Sequence, residues 1–471
     1  MNKNLEPAFA EYDNYLEHGI DSSFVQYHQI LEYVNKLKLN HIFSVDELGK
    51  SVEGRSIYCI KFGAGSRKIL IWSQMHGDEP TATGALLDIL NYLTKNQSTD
   101  FVKLISANLT ISIIPMLNPD GALNFTRENI IGIDINRDAQ KQVTPESKIF
   151  WQYVDNFKPE FAFNMHNQNS YYSAGNGGNS SAISMLCPPA DYDKTISETR
   201  IKSMQIIYGI NSLLNTIIPG HIARYSDDYE PRAFGDKLID KKVSSILIES
   251  GFFPGDSNNN FLRKLNFISL LSAFDQIISN SYLDINYKDY FAIPENERQL
   301  FDLILRNVFI NYGNNEFKVD IGINRNKKYD KNESKFYTIS EICEIGDLSI
   351  YRGNEEIDLT GFYAESLSIL AQSFNNPTDL INLEFDIFIK KGIGYIIVSD
   401  LDYEKKYTNF PVNLADSIKK IDNSVSIGNF ANFKLTKENR TEALVLNGYF
   451  ISFADGIEIN LQNVKNGIII H

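Results

Sequence analysis

Four short apolar runs in the first half of the chain each lead into a polar, chemistry-bearing turn, and this pattern most restricts the fold. Ile69-Leu70-Ile71-Trp72 is followed by His76-Gly77-Asp78-Glu79, and Leu109 to Met116 by Asn118-Pro119-Asp120-Gly121. Phe161 to Met165 ends at His166, and Val243 to Ile248 ends at Glu249 and Gly251. Longer stretches between them repeat apolar residues at helical spacing, as Ala82, Ala85, Leu86, Ile89, Leu90 and Leu93 do. Near-continuous apolar strands alternating with helices predict an α/β fold with a mixed, largely parallel central sheet, buried on both faces and flanked by helices. In such sheets ligands gather beyond the carboxyl ends of the strands. The polar turns therefore sit where a site belongs.

Residues 1–45 read as a helical segment packing on this domain, since Phe24, Tyr27, Ile30, Leu31 and Val34 recur at helical spacing. The α/β pattern occupies 46–285. From 286 to 471 shorter β-type runs take over, at Phe317–Ile323, Leu383–Ile389, Ile393–Val398, Ala443–Phe453 and Ile457–Leu461. Asn447-Gly448 and Asp455-Gly456 supply hairpin turns. The expectation there is a second, β-rich domain with a solvated loop at 324–335 and a helix around 363–373.

A formal charge of −14 argues against binding nucleic-acid phosphates, which requires clustered Lys and Arg. The three cysteines, Cys59, Cys187 and Cys343, form no CxxC pair and read as reduced, buried residues. The N-terminus has early acids and no apolar core of a signal peptide, and no apolar run approaches the roughly 18 residues of a membrane span. These features lead us to expect a cytoplasmic protein with no membrane partner.

His76 and Glu79, three residues apart on a turn after a strand, converge on one metal if the turn brings both side chains to one side, and both are good zinc donors. Alone, such a pair is common and would be read as a helix cap. A catalytic zinc needs three protein ligands and an open position. The chain has seven histidines, and His166 alone among the other six follows a buried-strand pattern, as His76 does. Between them lie Thr126-Arg127-Glu128-Asn129 and Gly132-Ile133-Asp134-Ile135-Asn136-Arg137-Asp138. Asp134 could accept the second N–H of His76. Two arginines near a zinc suit carboxylate binding and oxyanion stabilisation. Glu249, at the tip of an apolar strand, sits where desolvation raises a carboxyl pKa and where a general base belongs.

Taken in order, HGDE, NPDG, TREN with GIDINRD, FNMHN and LIESG resemble the zinc metallocarboxypeptidase superfamily over roughly residues 46–280. The resemblance implies one zinc ion held by His76, Glu79 and His166, with Asp134 behind His76. It implies that Arg127 polarises the scissile carbonyl, that Asn136 and Arg137 clasp the substrate's terminal carboxylate, and that Glu249 is the general base for a zinc-activated water. Two departures stand out. Asp78 occupies a position where many digestive members carry arginine, and the stretch from Arg127 to Asn136 is shorter than theirs. The family's substrate-capping tyrosine corresponds to Tyr225 or Tyr229, in a segment that also holds Asp227, Asp228 and Asp236. The implied function is a metallocarboxypeptidase acting on a peptide, or another substrate, with a free carboxylate. An aspartoacylase- or desuccinylase-like zinc amidohydrolase acting on N-acyl amino acids is the alternative, and a binding protein without catalysis is a further one.

Overall fold

The computed structural model describes residues 3–453, 461, 464 and 466–471. It comprises two compact units, Met1–Arg298 and Gln299–His471. The break falls later than the change of pattern near 285. The intervening 3-10 turns, Ser281–Asp284 and Tyr287–Ala292, pack on a helix of the first unit, burying Tyr282 and Tyr290.

Among the described residues, the strands of the first unit are β1 (Phe43–Lys50), β2 (Ser56–Phe62), β3 (Arg67–Trp72), β4 (Leu109–Ile114), β5 (Phe161–Asn167), β6 (Ser173–Ala174), β7 (Ile183–Leu186), β8 (Ile222–Arg224), β9 (Ser244–Ser250) and β10 (Asn296–Glu297). Eight form one sheet in the order β1-β2-β4-β3-β5-β9-β7-β8, and β6 pairs with β10. The central strands β4, β3, β5 and β9 are parallel, β2 pairs antiparallel with β1 and β4, and β7 pairs antiparallel with β9 but parallel with β8. The strand order reverses at β3, which lies between β4 and β5. That reversal opens the crevice at the carboxyl ends in which such sheets hold ligands.

Among the described residues, the helices of this unit are α1 (Leu5–Ala10), α2 (Tyr27–Leu37), α3 (Thr81–Lys95), α4 (Asp100–Asn108), α5 (Pro119–Asn124), α6 (Pro145–Phe157), α7 (Glu198–Leu214), α8 (Phe234–Asp240) and α9 (Asn260–Ser279). Strand alternation divides the core. Ile69, Ile71, Ile111, Phe163 and Ile248 face α3, α7 and α9, and Leu70, Trp72 and Ala162 face α6 and α8. The N-terminal segment joins the first of these layers through Leu5, Ala8, Tyr12, Ile30 and Val34. Beside them Asp88 on α3 is fully buried, accepting from the Tyr12 hydroxyl at 2.6 Å and from Arg263 Nε on α9 at 2.6 Å.

In the second unit the long strands β11 (Leu300–Tyr312), β12 (Asn315–Asp330) and β13 (Lys335–Gly346) make an antiparallel meander. They belong to an eight-stranded sheet, and a five-stranded sheet contains Ser368–Phe374 and Ile393–Val398. Three readings of this region need correction. The stretch 324–335 is not a loop but the end of the β12–β13 hairpin, its polar residues lying on an exposed ribbon. The helix expected around 363–373 is two strands, Tyr363–Ser366 and Ser368–Phe374, and the helix lies instead at Phe385–Lys390, inside a run read as β. Neither run had decisive local propensity, and pairing with Phe433–Lys437 and Ile393–Val398 decided the first. The expected turn at 455–456 and residues 457–460 of the Ile457–Leu461 run lie outside the described residues.

Arg263→Leu leaves the Asp88 carboxylate buried without its cation, and urea unfolding of the variant should show a loss of about 3–5 kcal/mol. A loss below about 1 kcal/mol would mean that this pair does not hold the N-terminal segment in place.

Candidate metal centre and substrate cavity

The turn after β3 is shaped by a close approach of backbones. A Cβ on Gly77 would lie 2.0 Å from the carbonyl carbon of Gly121, so the HGDE turn can pack on the NPDG turn only with glycine there. Asn118 holds the two together: its Oδ1 accepts from Gly121 N at 2.9 Å and its Nδ2 donates to the Met75 carbonyl at 3.2 Å. Glu79 N donates to His76 O at 3.2 Å, curling the turn so that both side chains point the same way.

His166 arrives from β5, beside Trp72's strand and level with Glu249 on β9. His76 Nδ1 lies 2.8 Å from Glu79 Oε1, His166 Nδ1 lies 2.7 Å from Glu79 Oε2, and the two Nδ1 atoms are 3.1 Å apart. All three residues are buried. Among the described residues this is the one group of three or more His, Cys, Asp or Glu side chains whose ligand atoms converge closely enough to hold a metal ion.

The donor set fits zinc. Tetrahedral ligands about 2.0–2.1 Å from a zinc lie roughly 3.3 Å apart, close to the spacings here. Asp134 Oδ1 lies 3.1 Å from His76 Nε2, and with a metal on Nδ1 this carboxylate would accept the Nε2 proton. Two imidazole nitrogens pointed at one another across a carboxylate are what a cation between them satisfies.

Electrostatics reinforce the arrangement. Burial opposes ionisation of Glu79, but the charges of His76 and His166 and their hydrogen bonds hold its carboxyl well below the usual range. Asp134 is likewise held low despite burial, by the hydrogen bond and charge of His76 and by Arg127. Burial disfavours a charged His76, yet Glu79 and Asp134 outweigh it and raise its pKa to about 9. Glu249 behaves oppositely: burial, then the charge of Glu79, push it up to about 8. Its Oε2 is buried without a hydrogen-bond partner.

These groups open onto a cavity of about 510 Å³, whose walls also carry Arg127, Asn136, Arg137, Tyr172, Tyr225 and Asp236. Arg127 is 3.2 Å from Glu79 Oε1 and 3.1 Å from Asp134 Oδ2. The Asn136 side-chain Oδ1 accepts from Phe234 N at 2.9 Å. Arg137 Nη1 donates to the Asn136 backbone carbonyl at 2.9 Å and Nε lies 3.6 Å from Glu230, and the residue lines the cavity. The two candidate tyrosines part company. Tyr225 lines the cavity, and its hydroxyl pKa is raised by burial and then by the charge of Glu249. Tyr229 is not on the wall and packs edge-on against Tyr192, ring centroids 4.9 Å apart. The acids separate too: Asp227 is bound by Lys194 at 2.8 Å and by the buried Arg200 at 3.3 Å, whereas Asp236 faces the cavity and is 6% exposed. Tyr172, Gln168 and Asn169 were not anticipated as wall residues. Their place directly after His166 in the chain is the one signal that could have found them.

Residues 29–202 match the sequence model of a family described as zinc carboxypeptidase. Carboxypeptidase SOL1 of Arabidopsis thaliana is 31% identical over 115 residues, which cover 23% of this chain and 23% of that protein. Carboxypeptidase E of Caenorhabditis elegans is 30% identical over 158 residues, 28% of this chain and 33% of that protein. The chain therefore spans only a quarter to a third of the length of these curated relatives. Among solved structures, a metallo-carboxypeptidase from Burkholderia cenocepacia aligns at 16% identity with a TM-score of 0.45, covering 55% of this chain and 70% of that one. The matched family segment includes His76, Glu79, Arg127, Asn136, Arg137 and His166, but ends before Tyr225 and Glu249.

Asp134→Asn keeps the shape of the His76 contact and removes its charge. Competition against a zinc chelator should show affinity for zinc falling about 10- to 100-fold. An unchanged affinity would mean that Asp134 does not support the centre.

Proposed function

We infer that this chain, whose residues 29–202 carry a domain of the zinc carboxypeptidase family, is a zinc-dependent metallocarboxypeptidase that removes the C-terminal residue of a peptide. The observation that carries this reading is the neighbourhood of Glu249. An unpartnered buried carboxylate stands level with His166 on adjacent strands, and the same cavity holds a three-donor metal centre and two arginines.

His76, Glu79 and His166 would hold the zinc ion, which when bound supplies Lewis acidity, acidifying a water and polarising a carbonyl. The protein's own groups do the rest. With the ion bound, Asp134 would accept the Nε2–H of His76 and leave the Nδ1 lone pair for the metal. Glu249, made more basic by burial, takes a proton from the attacking water. The water oxygen bonds to the scissile carbonyl carbon, and Arg127 donates hydrogen bonds to the oxygen that gains charge. Glu249 then gives its proton to the departing nitrogen, the C–N bond breaks, and an amine and a carboxylate remain. Arg137 and the Asn136 amide bind the terminal carboxylate of the substrate, a contact useful only if the substrate ends in one. Tyr225 closes over the bound residue.

The cavity favours a cationic side chain on the residue released. Asp236 is a buried acid on its wall, besides Glu79 and Glu249 of the centre itself, and Asp227 is held by Lys194 and Arg200. Burial raises the Asp236 pKa to about 7, so it is neutral below that pH and charged above it. Attraction for a lysine or arginine end therefore grows as pH rises through about 7.

A mixed peptide library incubated with the zinc-loaded protein and read by mass spectrometry should lose C-terminal residues stepwise, and Glu249→Gln should abolish this. An untouched library with turnover of N-acyl amino acids would assign the chain to the amidohydrolases instead. For a Lys-terminated peptide, KM should fall between about pH 6 and about pH 8, and Asp236→Asn should flatten that dependence. A KM that rises over the same range would exclude Asp236 as the cation's partner. Chelation should abolish turnover while the thermal melt stays cooperative, because the sheet core is hydrophobic and independent of the metal.

A further inference from the structure

A four-residue segment far from every motif, Pro294–Glu297, touches both walls of the cavity. Asn296 and Gln168 form a reciprocal amide pair: Asn296 Nδ2 donates to Gln168 Oε1 at 2.8 Å, and Gln168 Nε2 donates to Asn296 Oδ1 at 3.3 Å. The Ser184 hydroxyl donates to Asn296 Oδ1 at 2.9 Å and accepts from Gln168 Nε2 at 2.9 Å. Ser184 is fully buried and lies opposite Glu249 in the β7–β9 register. Gln168 is two residues past His166, lines the cavity, and is fixed at its backbone by a bond from its N–H to Ser250 O at 2.8 Å. Its neighbour Asn167 donates its N–H to Glu79 Oε2 at 3.2 Å.

The same segment grips the opposite wall. Arg224 N donates to Pro294 O at 2.6 Å, and the Arg224 guanidinium pairs with Glu295. Arg224 directly precedes Tyr225. Between these grips, Asn296 and Glu297 pair with Ala174 and Ser173, and Gly175 N donates to Glu295 O at 2.7 Å. Loop walls joined only to their own strands open readily, because few bonds oppose the gain in chain entropy. Here one short strap bonds to the Gln168 wall, the β6 edge and the Tyr225 wall at once. The amide pair is neutral, and both polar atoms of Gln168 are engaged, which fixes the side chain in the cavity wall.

We propose that Pro294–Glu297 is a clamp that sets the width of the substrate cavity, with Asn296 as the positioning residue that holds Gln168. The effect on substrate rests on the peptidase reading above, but the effect on the wall does not. Asn296→Leu keeps the bulk and removes the amide. Hydrogen exchange should then speed up in residues 167–175 and stay unchanged in α3 and α9. With the zinc content unaltered, KM for a peptide should rise about fivefold or more while kcat stays within about twofold. The swapped pair Gln168→Asn with Asn296→Gln rebuilds an amide–amide contact and should restore both protection and KM. Unchanged exchange in Asn296→Leu, a fall in kcat at constant KM, or a swapped pair no better than Asn296→Leu would overturn the clamp. If Asn296→Leu does not fold, Asn296→Asp serves in its place, since it sets a carboxylate against the Gln168 carbonyl oxygen. A wild-type protein that hydrolyses no peptide would sink the peptidase reading, and the exchange comparison would still decide the clamp.

Discussion

The contact on which the site depends is the one between two backbones, Gly77 on the HGDE turn and Gly121 on the NPDG turn. Neither position has room for a side chain: a Cβ on Gly77 meets the Gly121 backbone, and a Cβ on Gly121 meets Asn118 and the Glu128 carbonyl. The approach forces the chain leaving β3 into a tight turn before α3 begins, and that turn aims His76 and Glu79 the same way. It also anchors the start of the segment that returns with Arg127 and Asp134, so the group behind His76 comes from the same folding event. A two-residue steric constraint thus positions His76, Glu79, Asp134 and Arg127 together.

The sheet supplies the other half. Parallel pairing of β5 with β9 sets His166 level with Glu249, and the face they share is that of Leu70 and Trp72, covered by α6 and α8. Two carboxylates consequently lie near each other in one buried place with opposite behaviour. Glu79 is bonded to two histidines and stays charged, whereas Glu249 has one oxygen without a partner and is pushed toward neutrality. Environments that separate the pKa values of neighbouring acids are how one site divides metal binding from proton transfer.

Much of this was legible in the chain because strand ends are marked by abrupt changes of residue type. HGDE, His166 and Glu249 each follow an apolar run, and a parallel sheet must bring such ends together. What the chain could not disclose depended on contacts between distant residues. Tyr225 and Tyr229 are equivalent by spacing, and packing of Tyr229 on Tyr192 is what separates them. Asp227 and Asp236 look alike until Lys194 and Arg200 claim the first. Asn296 carries no motif, since its partners Gln168 and Ser184 lie more than a hundred residues earlier. In the second unit, strand pairing overrode weak local preferences at Tyr363–Phe374, and a short amphipathic helix at Phe385–Lys390 passed for a strand.

The central claim is that His76, Glu79 and His166 form one metal centre facing Glu249. The most direct test is anomalous diffraction at the zinc edge from crystals of the zinc-loaded protein. The account predicts a single strong peak per chain, bound by His76 Nδ1, the Glu79 carboxylate and His166 Nδ1, with the Glu249 carboxylate across from it. A peak held by other residues, or none at this centre in crystals that contain zinc, would contradict it.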